Sequence, residues 1–342
     1  MHVNSGRLRP NLSIRSALVP GRFGIVLDAI DECGVEYVVK ELSFHSKQDK
    51  ALAGSEISIL RQIADLRINV PRIVDSFEIE EAGRMVIVMT KEPGIPLDVY
   101  IRASKLSFCR RLVLVADIIR LLGPTCKVLD SICCHRDLNS HNILIQERPG
   151  NDPSLTIIDF GLAQEKGDWI VWRWRDSPVG GDPRYWPCCS WRVLINGWRD
   201  IVSTACGEEQ YKEKLDMHSL GISLVELLVC ELDDLDDDFL VEVLRITFKT
   251  YWRCSALFAN LFLQGCKSGG DWNTLVQNQV VGTTRNNLRG LKSALKGLRQ
   301  SYPAIHIIER MLCIDETTMT GSWTYIINKS RLMKENAIRY HY

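Results

Sequence analysis

Surplus charge is the first thing this sequence lacks: Lys plus Arg number 42, Asp plus Glu number 42, and the formal net charge is 0. Holding nucleic acid by bulk electrostatics needs cations in excess to face phosphates, so no nucleic-acid partner is expected. Uncharged apolar runs are also missing. No segment approaches the roughly 18 residues of a membrane span, and the first stretch, MHVNSGRLRPNLSIRSALVP, contains no apolar core of the signal-peptide kind. No membrane partner and a cytoplasmic location are the expectation. Cysteine is plentiful, at 12, but scattered and without C-x-x-C spacing, which fits reduced and mostly buried thiols rather than a disulfide framework. Cys133 and Cys134 adjoin His135, yet neighbouring side chains on an extended segment point opposite ways and do not close one metal tetrahedron.

What is present is an ordinary globular composition, 46% hydrophobic and 25% charged over 342 residues, enough for two compact units or one bilobal unit. From Ser13 to Leu42 the pattern predicts three strands, with turns at Gly21 to Gly24 and Asp31 to Gly34. The third strand, Glu36-Tyr37-Val38-Val39-Lys40-Glu41-Leu42, sets one lysine among apolar neighbours, where an ammonium needs a partner. Leu52, Ile57, Leu60, Ile63 and Ala64 recur at helical spacing over 49–66, and Glu56 lies beside that stripe as the candidate partner of Lys40. Met85 to Met89 reads as a strand, and the breakers in Thr90-Lys91-Glu92-Pro93-Gly94-Ile95-Pro96 divide the chain into 1–90 and 91–342.

Two later stretches carry the chemistry. His135-Arg136-Asp137-Leu138-Asn139-Ser140-His141-Asn142-Ile143-Leu144 is followed by Ile157-Ile158-Asp159-Phe160-Gly161. They resemble the catalytic loop and metal-binding turn of eukaryotic-type protein kinases, matching H-R-D-L-x-x-x-N and D-F-G in order. Asn139-Ser140-His141 adds a likeness to the loop of LIM-type kinases. With Lys40, Glu56 and the Gly turn before them, and Gly181-Asp182-Pro183-Arg184-Tyr185 and Asp216-Met217-His218-Ser219-Leu220-Gly221 after them, the likeness covers residues 18–325. The fold it implies is α+β and bilobal: a small β-rich N-lobe with one main helix, and a larger, mostly helical C-lobe.

The same resemblance implies the site. Phosphoryl transfer from ATP is mainly a matter of positioning and charge neutralisation. Asp159 and Asn142 would hold Mg²⁺, or Mn²⁺, through hard oxygen atoms. Asp137 would accept or orient the proton of the acceptor hydroxyl. Lys40 would hold the α- and β-phosphates, its rotamer fixed by Glu56. Val19 stands where the family's first glycine falls, and Gly21, Phe23 and Gly24 would cap the triphosphate. Adenine would lie between Val26 and Val38 on one side and Leu144 on the other, with backbone bonds from Thr90 to Glu92 and Met89 as gatekeeper. A protein hydroxyl of Ser or Thr is the implied acceptor. The oligomeric state is left open.

Several positions depart from the family pattern. Besides Val19, Pro20 stiffens the Gly turn, and Val38 replaces the alanine usual two residues before the lysine. Pro187-Cys188-Cys189 stands in place of A-P-E, and Met319 in place of the buried arginine that pairs with its glutamate. Removing both members of such a pair is tolerated far better than removing one, so Cys189 and Met319 are expected to touch. Asp182 replaces the usual threonine and Asn139 the usual lysine. Arg136 would ordinarily meet a phosphate on the activation segment, where Ser177 is the nearest hydroxyl. The run Asp168-Trp169-Ile170-Val171-Trp172-Arg173-Trp174-Arg175 suggests instead a segment packed in place by its tryptophans. Residues 190–215, longer than the family needs, are expected to pack on the C-lobe through Trp191, Trp198 and Tyr211. Asp216 is expected to bond the backbone of His135 and Arg136, and the acidic run Glu231 to Asp238 reads as a solvated loop or helix start. Two alternatives stay open: a kinase-fold scaffold without turnover, and a small-molecule phosphotransferase, whose relatives share the Asp-x-x-x-x-Asn spacing but lack D-F-G.

Overall fold

A computed structural model describes residues 12–21, 24–44, 46–204, 206–232, 238–268, 274–302, 304–314 and 321–330. Strands β1 (Ser13–Gly21), β2 (Gly24–Ile30) and β3 (Glu36–Ser43) are followed by helix α1 (Lys47–Ala64), then β4 (Ile73–Ile79) and β5 (Arg84–Thr90). The strands form one antiparallel sheet in the order β1-β2-β3-β5-β4. The β2–β3 turn is closed by Asp31, whose Oδ1 accepts from the amides of Cys33 (2.9 Å) and Val35 (2.8 Å). Gly34 follows at φ 82°, where a side chain would be strained.

Alternation along β3 sorts its residues by face. Leu42 joins Ile87 in the core beneath α1, while Val39 joins Ala29, Val86 and Val88 on the opposite face. Lys40 shares the Leu42 face and lies opposite Val26 on β2 and Ile87 on β5. Helix α1 begins two residues before the expected position because Ser46 caps it, accepting from the Asp49 amide at 3.1 Å. Ala53, Ile57, Ile59, Leu60 and Ile63 are its buried apolar positions, and Glu56 is buried with them.

The C-lobe starts with β6 (Ile95–Pro96), α2 (Leu97–Ala103) and the long α3 (Phe108–Ile132). Next come β7 (Cys133–Cys134), β8 (Ile143–Gln146), β9 (Ser154–Ile157) and β10 (Gln164–Glu165); β6, β8 and β9 form one small sheet, β7 and β10 another. Cys133 faces the main core and Cys134 a separate aromatic cluster, as opposite-pointing neighbours should. A helical stretch follows: α4 (Lys166–Asp168), a π-helical turn (Trp169–Arg173) and α5 (Trp174–Asp176). Further helices are α6 (Cys188–Asn196), α7 (Arg199–Val202), α8 (Gly207–Glu213), α9 (Leu215–Val229), α10 (Phe239–Ser268), α11 (Thr274–Leu298) and α12 (Ile305–Met311), and residues 323–330 are helical as well. Trp191 and Tyr211 are buried in two separate clusters and Trp198 packs on that of Tyr211, so the 190–215 stretch does pack on the C-lobe.

Helix α9 is the axis of the lobe, buried from Met217 through Val229. Its C-terminal carbonyls are collected by Arg111 of α3, itself only 1% exposed. Arg111 donates to Leu227 O (2.9 Å), Cys230 O and Glu231 O (3.1 Å), a cation where the helix dipole favours one. One apolar core runs from Leu42 and Leu60 through Phe160 to Leu220 and Ile308, joining the lobes. Of the described cysteines, all free, Cys126, Cys133, Cys134, Cys188, Cys189 and Cys313 are buried, and only Cys33 and Cys109 are exposed. Among the described residues no helix is long and apolar enough to cross a membrane.

Candidate active site

Lys40 reaches from β3 to two carboxylates, Glu56 Oε1 on α1 and Asp159 Oδ1 after β9, each at 2.8 Å. Burial alone would lower the Lys40 ammonium; Glu56 and Asp159 override it and hold it charged. Burial works against the Asp159 anion, and Lys40 outweighs it, drawing that carboxyl below its ordinary range. Glu56, the most enclosed of the three, is shifted upward by burial. The contact is close-packed: a Cβ on Gly161 would come within 2.8 Å of Lys40 Nζ. Asp159 itself takes φ 61°, a conformation L-residues rarely adopt outside functional sites.

The catalytic loop hangs from α9. Asp216 Oδ2 accepts from the His135 amide and Oδ1 from the Arg136 amide, both at 2.7 Å, and these bonds hold Arg136 at φ 67°. His135 is kept neutral by burial. Its Nε2 bonds Ile158 O at 3.1 Å and its ring packs on Phe160 at 4.9 Å, which ties the loop to the Asp159 turn. A second tie runs from the Ile158 amide to Asn142 O at 2.9 Å.

Asp137 is oriented from three sides. Oδ1 accepts from Asn139 Nδ2 (2.8 Å) and the Asp182 amide (2.9 Å), and Oδ2 accepts from Asn142 Nδ2 (2.9 Å). A carboxylate oxygen has room for about two such bonds, so Oδ2 keeps a lone pair for a hydroxyl. Burial pushes the Asp137 carboxyl up to about 7. Asn142 spends its Nδ2 on Asp137 O and Oδ2, which leaves its amide oxygen for a cation. That oxygen and the Asp159 carboxylate are a hard donor pair that fits Mg²⁺.

Most of the other expected residues lie on the strands that carry or adjoin these groups. Val26, Val38, Met89 and Leu144 are half-buried on β2, β3, β5 and β8. Thr90 Oγ1 donates to Glu92 Oε1 at 2.7 Å and accepts from the Arg72 amide at 2.9 Å. Val19 and Gly21 occupy β1, with Gly21 paired to Gly24; a Cβ on Gly24 would lie 1.7 Å from Glu41 O, so only glycine fits there. Phe23 and Met319 lie outside the described residues, and with Met319 the expected contact to Cys189. Cys189 itself is buried in the cluster of Trp169, Trp174 and Tyr211.

Two networks were not expected from the sequence. Ser140 Oγ and Tyr185 OH both donate to Glu226 Oε2, at 2.8 and 3.0 Å, fastening the catalytic loop and the segment after it to α9. His141 sits between Asp98 Oδ2 (2.8 Å from Nδ1) and Arg184 Nη2 (3.2 Å from Nε2), a tautomer with the proton on Nδ1 satisfying both. Arg184 also pairs with Asp182 and lies over Trp252, 5.0 Å from the ring centroid. Tyr185 and Arg184 stand in the quoted motif, but apart from Asp182 the partners named here are 41 or more residues away.

A five-stranded sheet with one helix beneath it, a helical lobe behind, and a lysine–glutamate–aspartate contact at the junction define the protein-kinase class of fold. The family model described as "Protein kinase domain" matches residues 13–326, and the chain belongs to that family. It is 25% identical over 204 residues to serine/threonine-protein kinase shk2 of Schizosaccharomyces pombe, covering 58% of this chain and 29% of that protein. It is 28% identical over 211 residues to serine/threonine-protein kinase H1 of Homo sapiens, covering 59% of this chain and 42% of that protein. A cysteine-rich receptor-like protein kinase 27 of Arabidopsis thaliana matches at 27% over 159 residues, 45% of this chain and 24% of that protein. The chain thus spans less than half the length of these curated relatives.

Proposed function

We propose that this chain is an ATP-dependent protein kinase acting on Ser or Thr hydroxyls of a protein substrate in the cytoplasm. The observation that carries the reading is the joint placement of Lys40 with Glu56 and Asp159 at 2.8 Å. Residues 1–90 form the nucleotide-binding lobe and 91–342 the catalytic and substrate lobe. Val26, Val38, Met89 and Leu144 make the apolar slot for adenine, the backbone of Thr90 to Glu92 its polar edge, and Val19, Gly21, Phe23 and Gly24 the cover over the triphosphate. Lys40 turns from Asp159 to the phosphates, with Glu56 keeping its ammonium charged and aimed. Asn142 and Asp159 hold Mg²⁺, or Mn²⁺, which when bound neutralises phosphate charge. Asp137 takes the acceptor hydroxyl on Oδ2 and holds or receives its proton, while Asn139 and Asp182 keep Oδ1 in place.

The test is transfer from labelled ATP with Mg²⁺ to a mixed peptide library, beside Asp137→Asn. Transfer lost in the variant, with phosphoserine or phosphothreonine in the hydrolysed product, supports the reading. Folded, ATP-binding protein that transfers nothing would instead fit a scaffold.

A further inference from the structure

Arg136 is a buried cation without a carboxylate. Its residue is 6% exposed, and among the described residues its guanidinium makes no ion pair. Asp216 binds only its backbone amide. The guanidinium meets Leu162 O (3.4 Å), Pro178 O and the face of Trp169, 4.8 Å from the ring centroid. Two carbonyl dipoles and an aromatic quadrupole therefore do what an anion would otherwise do for this charge. Trp169 is itself held firmly, being fully buried, with its indole N–H donating to Lys212 O at 2.9 Å and its ring packed on Tyr211 at 5.7 Å. Leu162 and Pro178 are near the two ends of the segment that carries Trp169, so all three contacts converge on the residue preceding Asp137. The fit is tight, since a Cβ on Gly180 would lie 2.9 Å from Arg136 Nη2 and one on Gly181 2.3 Å from Arg136 O.

We propose that Trp169 is a positioning residue for the transfer. Resting on the kinase reading above, it holds Arg136, and through it Asp137 and the segment 162–181, so that the site is assembled with no phosphate on that segment. Ser177 is the one hydroxyl residue from 162 to 181, and the groups that face Arg136 are already in contact without it.

Four variants test this: Trp169→Leu, Trp169→Phe, Trp174→Leu and Ser177→Ala, each compared with phosphatase-treated wild type. Trp174 is the control for burial, also 0% exposed and in the same cluster, but lying against Arg175 rather than Arg136. Trp169→Leu is expected to lower kcat about 30-fold, the scale of a desolvated cation–π contact, with KM for ATP nearly unchanged. Amide exchange over 162–181 should rise with it. Trp169→Phe should recover most of both, Trp174→Leu should lose stability with little change in kcat, and Ser177→Ala should be fully active. Equal kcat losses in the two Leu variants, or inactivity of Ser177→Ala or the phosphatase-treated protein, would overturn the proposal. If wild type transfers no phosphate, the kinase reading fails by itself. The exchange comparison then decides for Trp169: deprotection of 135–138 and 162–181 confined to its Leu variant supports positioning, and equal deprotection in both refutes it.

Discussion

Asp137 titrates near neutrality, about 7, because burial disfavours its anion more than its hydrogen bonds restore it. A base of that kind loses capacity as pH falls, so peptide phosphorylation should rise between pH 6 and 8 with an apparent midpoint near 7. A flat profile across that range would contradict the role. His218, fully buried on α9 with Nδ1 accepting from the Cys313 amide at 2.9 Å, is driven the other way, down to about 3. The unfolded chain then binds the extra proton below its ordinary value of about 6.5, and stability falls with pH from there toward 3. The expected loss is about 2 kcal/mol between pH 6.5 and 5; urea titrations of His218→Asn should show a shallower pH slope than wild type. At this scale the sequence was informative where a residue's role is written in a local motif. Lys40 meets Glu56 and Asp159, and Asn142 meets Asp137. Trp169 was legible as a packing residue, but its contact with Arg136 was not, since nothing in the order of residues says which face of an indole a guanidinium will find.

Elements differ in how much of themselves they disclose. Strands β1 to β3 and β5 and helix α1 were read near their true bounds because their alternation or helical stripe is strong. Strand β4 was missed: Ile73–Ile79 has no fully buried position, so its side chains show no clean two-residue alternation. Helices α2 and α3 went unread although Arg111, the residue that anchors α9, lies on one of them. Arg111→Met should cost about 3 kcal/mol in urea unfolding, as carbonyls gathered at a helix end lose their cation. Arg111→Lys should recover less than half of that loss, one ammonium being unable to span carbonyls of Leu227, Cys230 and Glu231. In the glycine turn ahead of Asp182, Gly181 has φ 86°. Gly181→Ala combines that strain with the clash on Arg136 O and should cut kcat at least tenfold while the melting temperature falls by only a few degrees, a split measured by kinetics and calorimetry together.

For the whole molecule, a β-rich lobe followed by a mostly helical one is legible in the sequence, whereas the continuity of the core across them is not. Leu60 and Phe160 belong to one cluster only once the chain has folded back on itself. That continuity predicts a single unfolding transition for the described lobes, shifted upward by ligand. ATP with Mg²⁺ at a hundred times its Kd should add about 2.7 kcal/mol, and Asp159→Asn should abolish the Mg²⁺-dependent part of the thermal shift. The cysteines open the two lobes to spectroscopy. Cys33 stands exposed on the β2–β3 turn of one lobe and Cys109 at the start of α3 in the other, while burial raises the thiols of Cys126, Cys133, Cys134, Cys189 and Cys313 and leaves little thiolate to react. With the half-buried Cys206, Cys230 and Cys254 and with Cys266 replaced by serine, a brief maleimide treatment at neutral pH therefore places one fluorophore on each lobe, at positions the native sequence already supplies, and the pair serves as a ruler between them.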